Sequence, residues 1–157
     1  MRETSSTCLL DRSALAQRLE SKGILPTPQR LEIAAVLFAQ DQHLAADQVL
    51  ERVNSDGAAV SKATVYNTLG LFAARGLLRE LRVDAARVFY DSNVRPHFHY
   101  YNVDDGTLTD LEMPAALAAC LPAAPAGTVA EGLDVIIRLR NAQSVRLSGA
   151  IPENFGL

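Results

Sequence analysis

Cysteine is scarce in this 157-residue chain: Cys8 and Cys120 are the only two, far apart and in no CxxC pair. Neither a cysteine zinc knuckle nor a disulfide framework is indicated, and both thiols are expected to stay reduced in a cytosolic setting. Long apolar runs are missing as well. None approaches the ~18–20 residues of a membrane span, and the polar N-terminal stretch does not resemble a secretory signal. A cytoplasmic protein with no membrane partner is expected. Charge of one sign is also absent in excess, the formal net charge being -3. Through Ser92, Lys plus Arg and Asp plus Glu balance at 11 each, leaving 4 against 7 in the remainder. So mild an asymmetry neither favours nor excludes a nucleic-acid partner. What the chain does have is apolar content, 48% of residues, enough for a packed core rather than disorder. Its length suits one ordinary domain or two small ones.

Histidine is scarce too, with three in all, and two of them stand together in His97-Phe98-His99. Asp110 follows eleven residues after His99. In a β-strand, residues two apart point the same way, so both imidazoles would face one point. Two imidazole nitrogens and a carboxylate suit zinc, ferrous iron or manganese. Taken alone, the same triplet also describes two half-exposed strand histidines with no metal. A metal hydrolase would further need an open coordination position and a general base. No surplus histidine and no HExxH glutamate is present, so an enzyme is not expected.

Capping residues and apolar spacing divide the chain. Asp11 can cap a short helix carrying Leu15, Ala16 and Leu19, ended by Lys22-Gly23. Thr27-Pro28 starts a second, with Leu31, Ala34, Ala35 and Phe38 as its apolar stripe. His43-Leu44 links it to a third, in which Ala46, Val49, Leu50 and Val53 form the buried face. Ser61 caps a fourth, running to about Arg75 and stopped by Gly76, with Val65, Leu69 and Phe72 facing the core. Segments Leu77–Arg82 and Arg87–Tyr90 read as a hairpin. Helices followed by a recognition-type helix and a hairpin predict a winged helix-turn-helix over residues 1–92. Residues 93–96 read as a hinge. Strands are expected near His97–Val103, Thr107–Leu111 and Leu133–Leu139, an Ala-rich helix over Ala115–Ala119, a loop over Pro122–Gly127 and loose tails at both ends. The fold class is therefore α+β: a winged-helix domain, then a small α/β dimerisation and metal-binding domain over 97–157. So small a second domain predicts a homodimer.

Four motifs in order, Thr27-Pro28-Gln29-Arg30, His43-Leu44-Ala45-Ala46, Ser61-Lys62-Ala63-Thr64-Val65-Tyr66 and His97-Phe98-His99 with Asp110, resemble the ferric uptake regulators. These are metal-responsive DNA-binding repressors of bacteria, and the likeness runs from about residue 20 to residue 140. Thr64-Val65-Tyr66-Asn67-Thr68-Leu69 and Val88-Phe89-Tyr90-Asp91-Ser92-Asn93 look most like the iron response regulator branch. Many relatives hold a structural zinc with cysteine pairs. Here the first pair is replaced by Asn102 and Asp105 and the second is absent, so no structural zinc held by four cysteines is implied. Residues around Pro96 and Phe98 cannot supply the third metal site that some relatives possess.

The resemblance implies one divalent metal per subunit, ferrous iron or manganese with zinc as an alternative, held by His43, Asp91, His97, His99 and Asp110. Glu80 on the preceding strand is the rival to Asp91. Asp104 and Asp105 read as turn residues. The implied partner is a double-stranded DNA operator, and the implied role is repression of iron-homeostasis genes. Tyr66 is placed to touch a base, Lys62 a phosphate, with Thr64 and Asn67 in the same helix and Arg30, Arg75 and Arg87 as backbone contacts. Many relatives carry arginine after the tyrosine; Asn67 removes that charge and could read adenine instead. Haem or peroxide sensing through the same histidines are the alternatives. The haem-linked run of three histidines is interrupted here by Phe98, and neither cysteine is followed by proline.

Overall fold

The computed structural model describes residues 11–55, 57–112, 114, 116, 120 and 122–144. Local chemistry sets the helix starts. Asp11 caps α1 (Arg12–Glu20) by accepting from the Ser13 amide, Thr27 caps α2 (Pro28–Leu37), and Ser61 caps α4 (Lys62–Ala74) through the Thr64 amide. In α3 (Ala46–Ser55) the first turn is closed from within, because the Gln48 side chain accepts from the Ala45 amide at 2.8 Å. Two helices end alike. Gly23 and Gly76 sit at φ +68° and +69°, and the following Ile24 and Leu77 amides reach back to Leu19 and Phe72 carbonyls. That left-handed turn favours glycine, and it drops a buried apolar residue onto the helix it terminates.

The chain folds as two compact units, Met1–Val94 and Arg95–Leu157. In the first, α2 packs on α1, α3 and α4. Its core includes Leu15, Leu19, Ile33, Leu37, Val49, Val65, Leu69 and Phe72. The buried side of α2 is Ile33, Ala34 and Leu37, with Leu31 and Ala35 only partly covered. Ala34 and, just past the helix end, Phe38 are buried as expected, and Ile33 and Leu37 join them, because a helix touched by three others buries a wider arc than one seam.

His43–Ala45 is a strand, β1, and not the plain linker expected from sequence. It pairs antiparallel with β3 (Val88–Asp91), which also pairs with β2 (Arg79–Arg82), giving the order β1-β3-β2. Ser92 extends that pairing by exchanging bonds with Gln42: its amide donates to the Gln42 carbonyl at 3.2 Å, and its hydroxyl accepts the Gln42 amide at 3.0 Å. The hairpin beside α4 completes a winged helix-turn-helix.

The second unit contains a three-stranded sheet of β4 (Phe98–Asn102), β5 (Leu108–Leu111) and β6 (Ile136–Leu139), ordered β5-β4-β6. β5 runs antiparallel to β4, and β6 parallel to it. Asn102 and Asp105, expected where relatives carry thiolates, bond each other at 3.1 Å. Asn102 also donates to the Asn141 side chain at 2.8 Å, and Asp104 accepts the Asn141 amide at 2.7 Å. A polar clasp thus ties the β4–β5 turn to the end of β6. Residues 122–127 form no regular element. The tails expected before residue 9 and after residue 144, and most of the Ala115–Ala119 helix, lie outside the described residues.

Candidate metal centre and nucleic-acid interface

Strand register builds the first ligand group. Leu44 and Tyr90 are cross-strand partners and both belong to the helical core, so their neighbours His43 and Asp91, also partners, share the opposite face of the sheet. His43 Nε2 stands 3.7 Å from Asp91 Oδ2, and the Asp91 side chain is fully buried. Its other oxygen accepts the Asn93 amide at 2.8 Å. A carboxylate removed from water in this way demands positive charge or hydrogen bonds around it. Glu80 pairs with Tyr90 and therefore lies on the core-side face, across the sheet from His43. It takes Arg82 as partner at 3.4 Å.

The second group lies within the second unit. His97 and His99 are two apart at the start of β4 and both are buried, with ring centroids 4.5 Å apart. Asp110 on β5 is the cross-strand partner of His99. Its Oδ1 lies 3.4 Å from His97 Nε2 and 3.9 Å from His99 Nε2. The Arg95 carbonyl stands 2.7 Å from His97 Nδ1, which places the ring proton there and turns the Nε2 lone pair towards Asp110. A lone pair facing a carboxylate oxygen at that range is repulsive unless a proton or cation lies between them. Atoms sharing a cation at about 2.1 Å sit roughly 3–3.5 Å from one another, close to the separations here. The donor set of each group therefore fits a divalent transition metal. One group offers two ligands and the other three.

The predicted nucleic-acid residues gather on the exposed side of α4. Thr64 and Asn67 line a cleft of about 290 Å³ together with Thr27 and Arg30. Arg30 Nη1 is engaged there by the Leu25 carbonyl at 2.9 Å. Tyr66, 41% exposed, and Arg87 line a groove of about 540 Å³ between α4 and the hairpin. Lys62 lies at the mouth of α4, but not as a bare cation. Its ammonium is 3.0 Å from Asp47 Oδ1, and the Tyr66 hydroxyl donates to the same oxygen at 3.3 Å. The Lys62 hydrogen bond and charge hold the Asp47 carboxyl below its usual range, and Asp47 in turn raises Lys62. Burial, and then Glu80, push the Tyr90 phenol upward. Arg75 donates instead to the Lys22 carbonyl at 3.3 Å, joining the ends of α4 and α1. Asp47 is the residue that sequence reasoning passes over. An acidic residue in a first helical turn looks ordinary, and nothing local signals that it meets α4.

The profile of the Ferric uptake regulator family matches residues 21–119. The peroxide-responsive repressor PerR of Staphylococcus aureus (strain Mu50) is 31% identical over 96 residues, covering 61% of this chain and 65% of the relative. The chain therefore matches just under two thirds of that relative's length. A ferric uptake regulator from Pseudomonas aeruginosa, determined with manganese, superposes with a TM-score of 0.64 at 23% identity, over 80% of this chain and 96% of that one. A zinc uptake regulator complexed with zinc and DNA superposes at 0.56 and 17% identity, over 94% and 100%. At those identities the structural likeness speaks for the fold.

Proposed function

The chain belongs to the ferric uptake regulator family, and from that premise we propose that it is a metal-responsive, dimeric, DNA-binding regulator. Its role is repression of iron-homeostasis genes in the cytoplasm, and it is not an enzyme. One observation carries the reading: a histidine–carboxylate pair in the winged-helix unit, His43 with Asp91, and a separate triad in the second unit, His97, His99 and Asp110. Each is a partial coordination set. Together they give five ligands, a number better suited to ferrous iron or manganese than to a closed tetrahedral zinc site. A cation bound by both would supply the charge that relieves the buried Asp91 and would fix the angle between residues 1–92 and 97–157 across the 93–96 hinge. Paired winged helices reach successive major grooves only near a spacing of about 34 Å or a related one, so one hinge angle is competent for DNA. Differential affinity for that angle is the switch.

Homodimerisation is supported by β6. It lies at the edge of its sheet with Ile137 and Leu139 each 40% exposed, an edge that a second copy can cover. The helix sequence Thr64–Leu69 and the Asn102–Asp105 pair in place of thiolates support assignment to the iron response regulator branch. The nucleic-acid contacts in this reading are Arg30, Lys62, Thr64, Tyr66, Asn67 and Arg87. Among the described residues no helix is long and apolar enough to cross a membrane.

The test is selection of duplexes from a random pool with manganese-loaded protein, then binding of the selected operator with manganese or with chelator. Metal-dependent binding that His97→Ala abolishes is expected; equal binding in chelator overturns the switch. The likeness to a peroxide-responsive repressor gives the second reading its support. Peroxide treatment of the iron-loaded protein, followed by mass spectrometry, separates it: one oxygen added to His43 or His97 marks a peroxide sensor. A Soret shift on adding haem, with loss of DNA binding, marks the haem-responsive alternative.

A further inference from the structure

Arg82 and Arg87 line the groove between α4 and the hairpin and Lys62 reaches its Asp47 from the start of α4, yet each of these cations has a carboxylate beside it. Lys62 has Asp47 at 3.0 Å, Arg82 has Glu80 at 3.4 Å, and Arg87 has Asp84 at 4.0 Å. A face built only to attract phosphate would leave such cations to the solvent. The pair at the start of α4 differs from the other two. Glu80 and Asp84 neighbour their partners within the hairpin, whereas Asp47 comes from another helix. One of its oxygens takes both the Lys62 ammonium and, at 3.3 Å, the Tyr66 hydroxyl. Lys62 and Tyr66 stand one turn apart on α4, with the ammonium 5.4 Å from the ring centroid. The favourable dipole at the start of α3 accounts for an acid at Asp47. It does not account for that acid holding two exposed side chains of α4 together.

We propose that Asp47 is a specificity-determining residue, a latch that keeps Lys62 and Tyr66 on one carboxylate until a DNA site engages both together. The inference rests on the DNA-binding reading above. On random sequence the latch stays closed, so Lys62 contributes no phosphate contact and the Asp47 charge opposes the backbone. On the operator, a base contact by Tyr66 and a phosphate contact by Lys62 replace the two hydrogen bonds at once. Operator binding must break the latch and forfeits its full strength, whereas random DNA forgoes only a phosphate contact weaker than the latch. Asp47 therefore lowers affinity for the operator more than for random DNA and sets the ratio between them. The contact is solvent-exposed, Lys62 and Asp47 side chains being 64% and 70% accessible, so the effect is modest and salt-dependent.

The experiment compares metal-loaded wild type, Asp47→Asn, Asp47→Glu and the double variant Asp47→Asn with Lys62→Gln. Each is measured on the selected operator and on a random-sequence duplex, across a salt series. Asp47→Asn is expected to bind the operator about three- to tenfold more tightly, gaining less on the random duplex. Its log–log salt slope on random DNA should steepen by about 0.9, the signature of one added phosphate contact. Asp47→Glu restores the wild-type ratio, and adding Lys62→Gln to Asp47→Asn removes the gain. Equal gains on both duplexes, or a gain that survives Lys62→Gln, would overturn the latch in favour of simple charge repulsion; no gain would overturn it outright. If the wild type enriches no sequence at all, the DNA-binding reading falls and takes the latch with it. Enrichment by the wild type, with Asp47→Asn behaving identically, removes the latch alone.

Discussion

Among the described residues of the first unit the largest fully buried side chains are hydrocarbon, Phe72, Ile33, Leu37 and Leu69 among them, with Asp91 the exception; among those of the second they are Tyr101 and His99. The winged helix therefore stands on an apolar core and carries its chemistry at the rim. The smaller unit has a candidate ligand where a core residue would otherwise be, and its turn is tied by hydrogen bonds among Asn102, Asp104, Asp105 and Asn141. The lesson concerns where stability comes from. A unit of that size buries little apolar surface, so a bound cation would contribute to its folding as well as to its signal.

Breaking the apolar half should have the largest effect. Phe72→Ala removes a ring with no solvent exposure and is expected to cost about 3–5 kcal/mol, read by urea denaturation followed through helical circular dichroism. A loss below about 1 kcal/mol would mean that the core repacks. Manganese is the next lever. At a hundredfold excess over its dissociation constant it should stabilise the protein by about 2.7 kcal/mol. Hydrogen exchange should slow in residues 98–102 in particular, and His99→Ala should abolish both responses. Protection confined to the α1–α4 helices would contradict the comparison. Breaking the clasp is gentler: Asn102→Ala should cost about 1 kcal/mol, seen as faster exchange at residues 103–107 with α4 unaffected.

The smallest effect is one of pH. The Thr107 hydroxyl and amide, which donate to Asp105 at 2.6 and 2.9 Å, hold that carboxyl below its ordinary value. A lowered native value means a stabilisation fully present above about pH 3.9, the unfolded range, and lost as pH falls through the lower native one. Wild type and Thr107→Ala should therefore differ at neutral pH and converge in acid. Curves that stay parallel throughout would assign Thr107 another role.

Much of the winged helix is legible without coordinates, because caps are local. Asp11, Thr27 and Ser61 each bond an amide two or three residues away. β1 is not legible: three residues give no alternation to read, and its partner strand lies more than forty residues onward. The exposed side of α4 can be placed from spacing, whereas the occupancy of its side chains cannot. By sequence Lys62 is a solvated cation awaiting phosphate, and only helix packing brings Asp47 to it.

Composition and order alone decided several things: the shortage of thiolates, the placing of two imidazoles two residues apart, and the helix boundaries set by hydroxyl and carboxylate caps. Folding decided which carboxylate meets which imidazole. The register of β1 on β3 puts Asp91 opposite His43, and the pairing of β2 on β3 turns Glu80 to the other face. Spacing along a chain governs what neighbours share a face, but pairing between distant segments depends on how strands align and helices pack, which no short window contains.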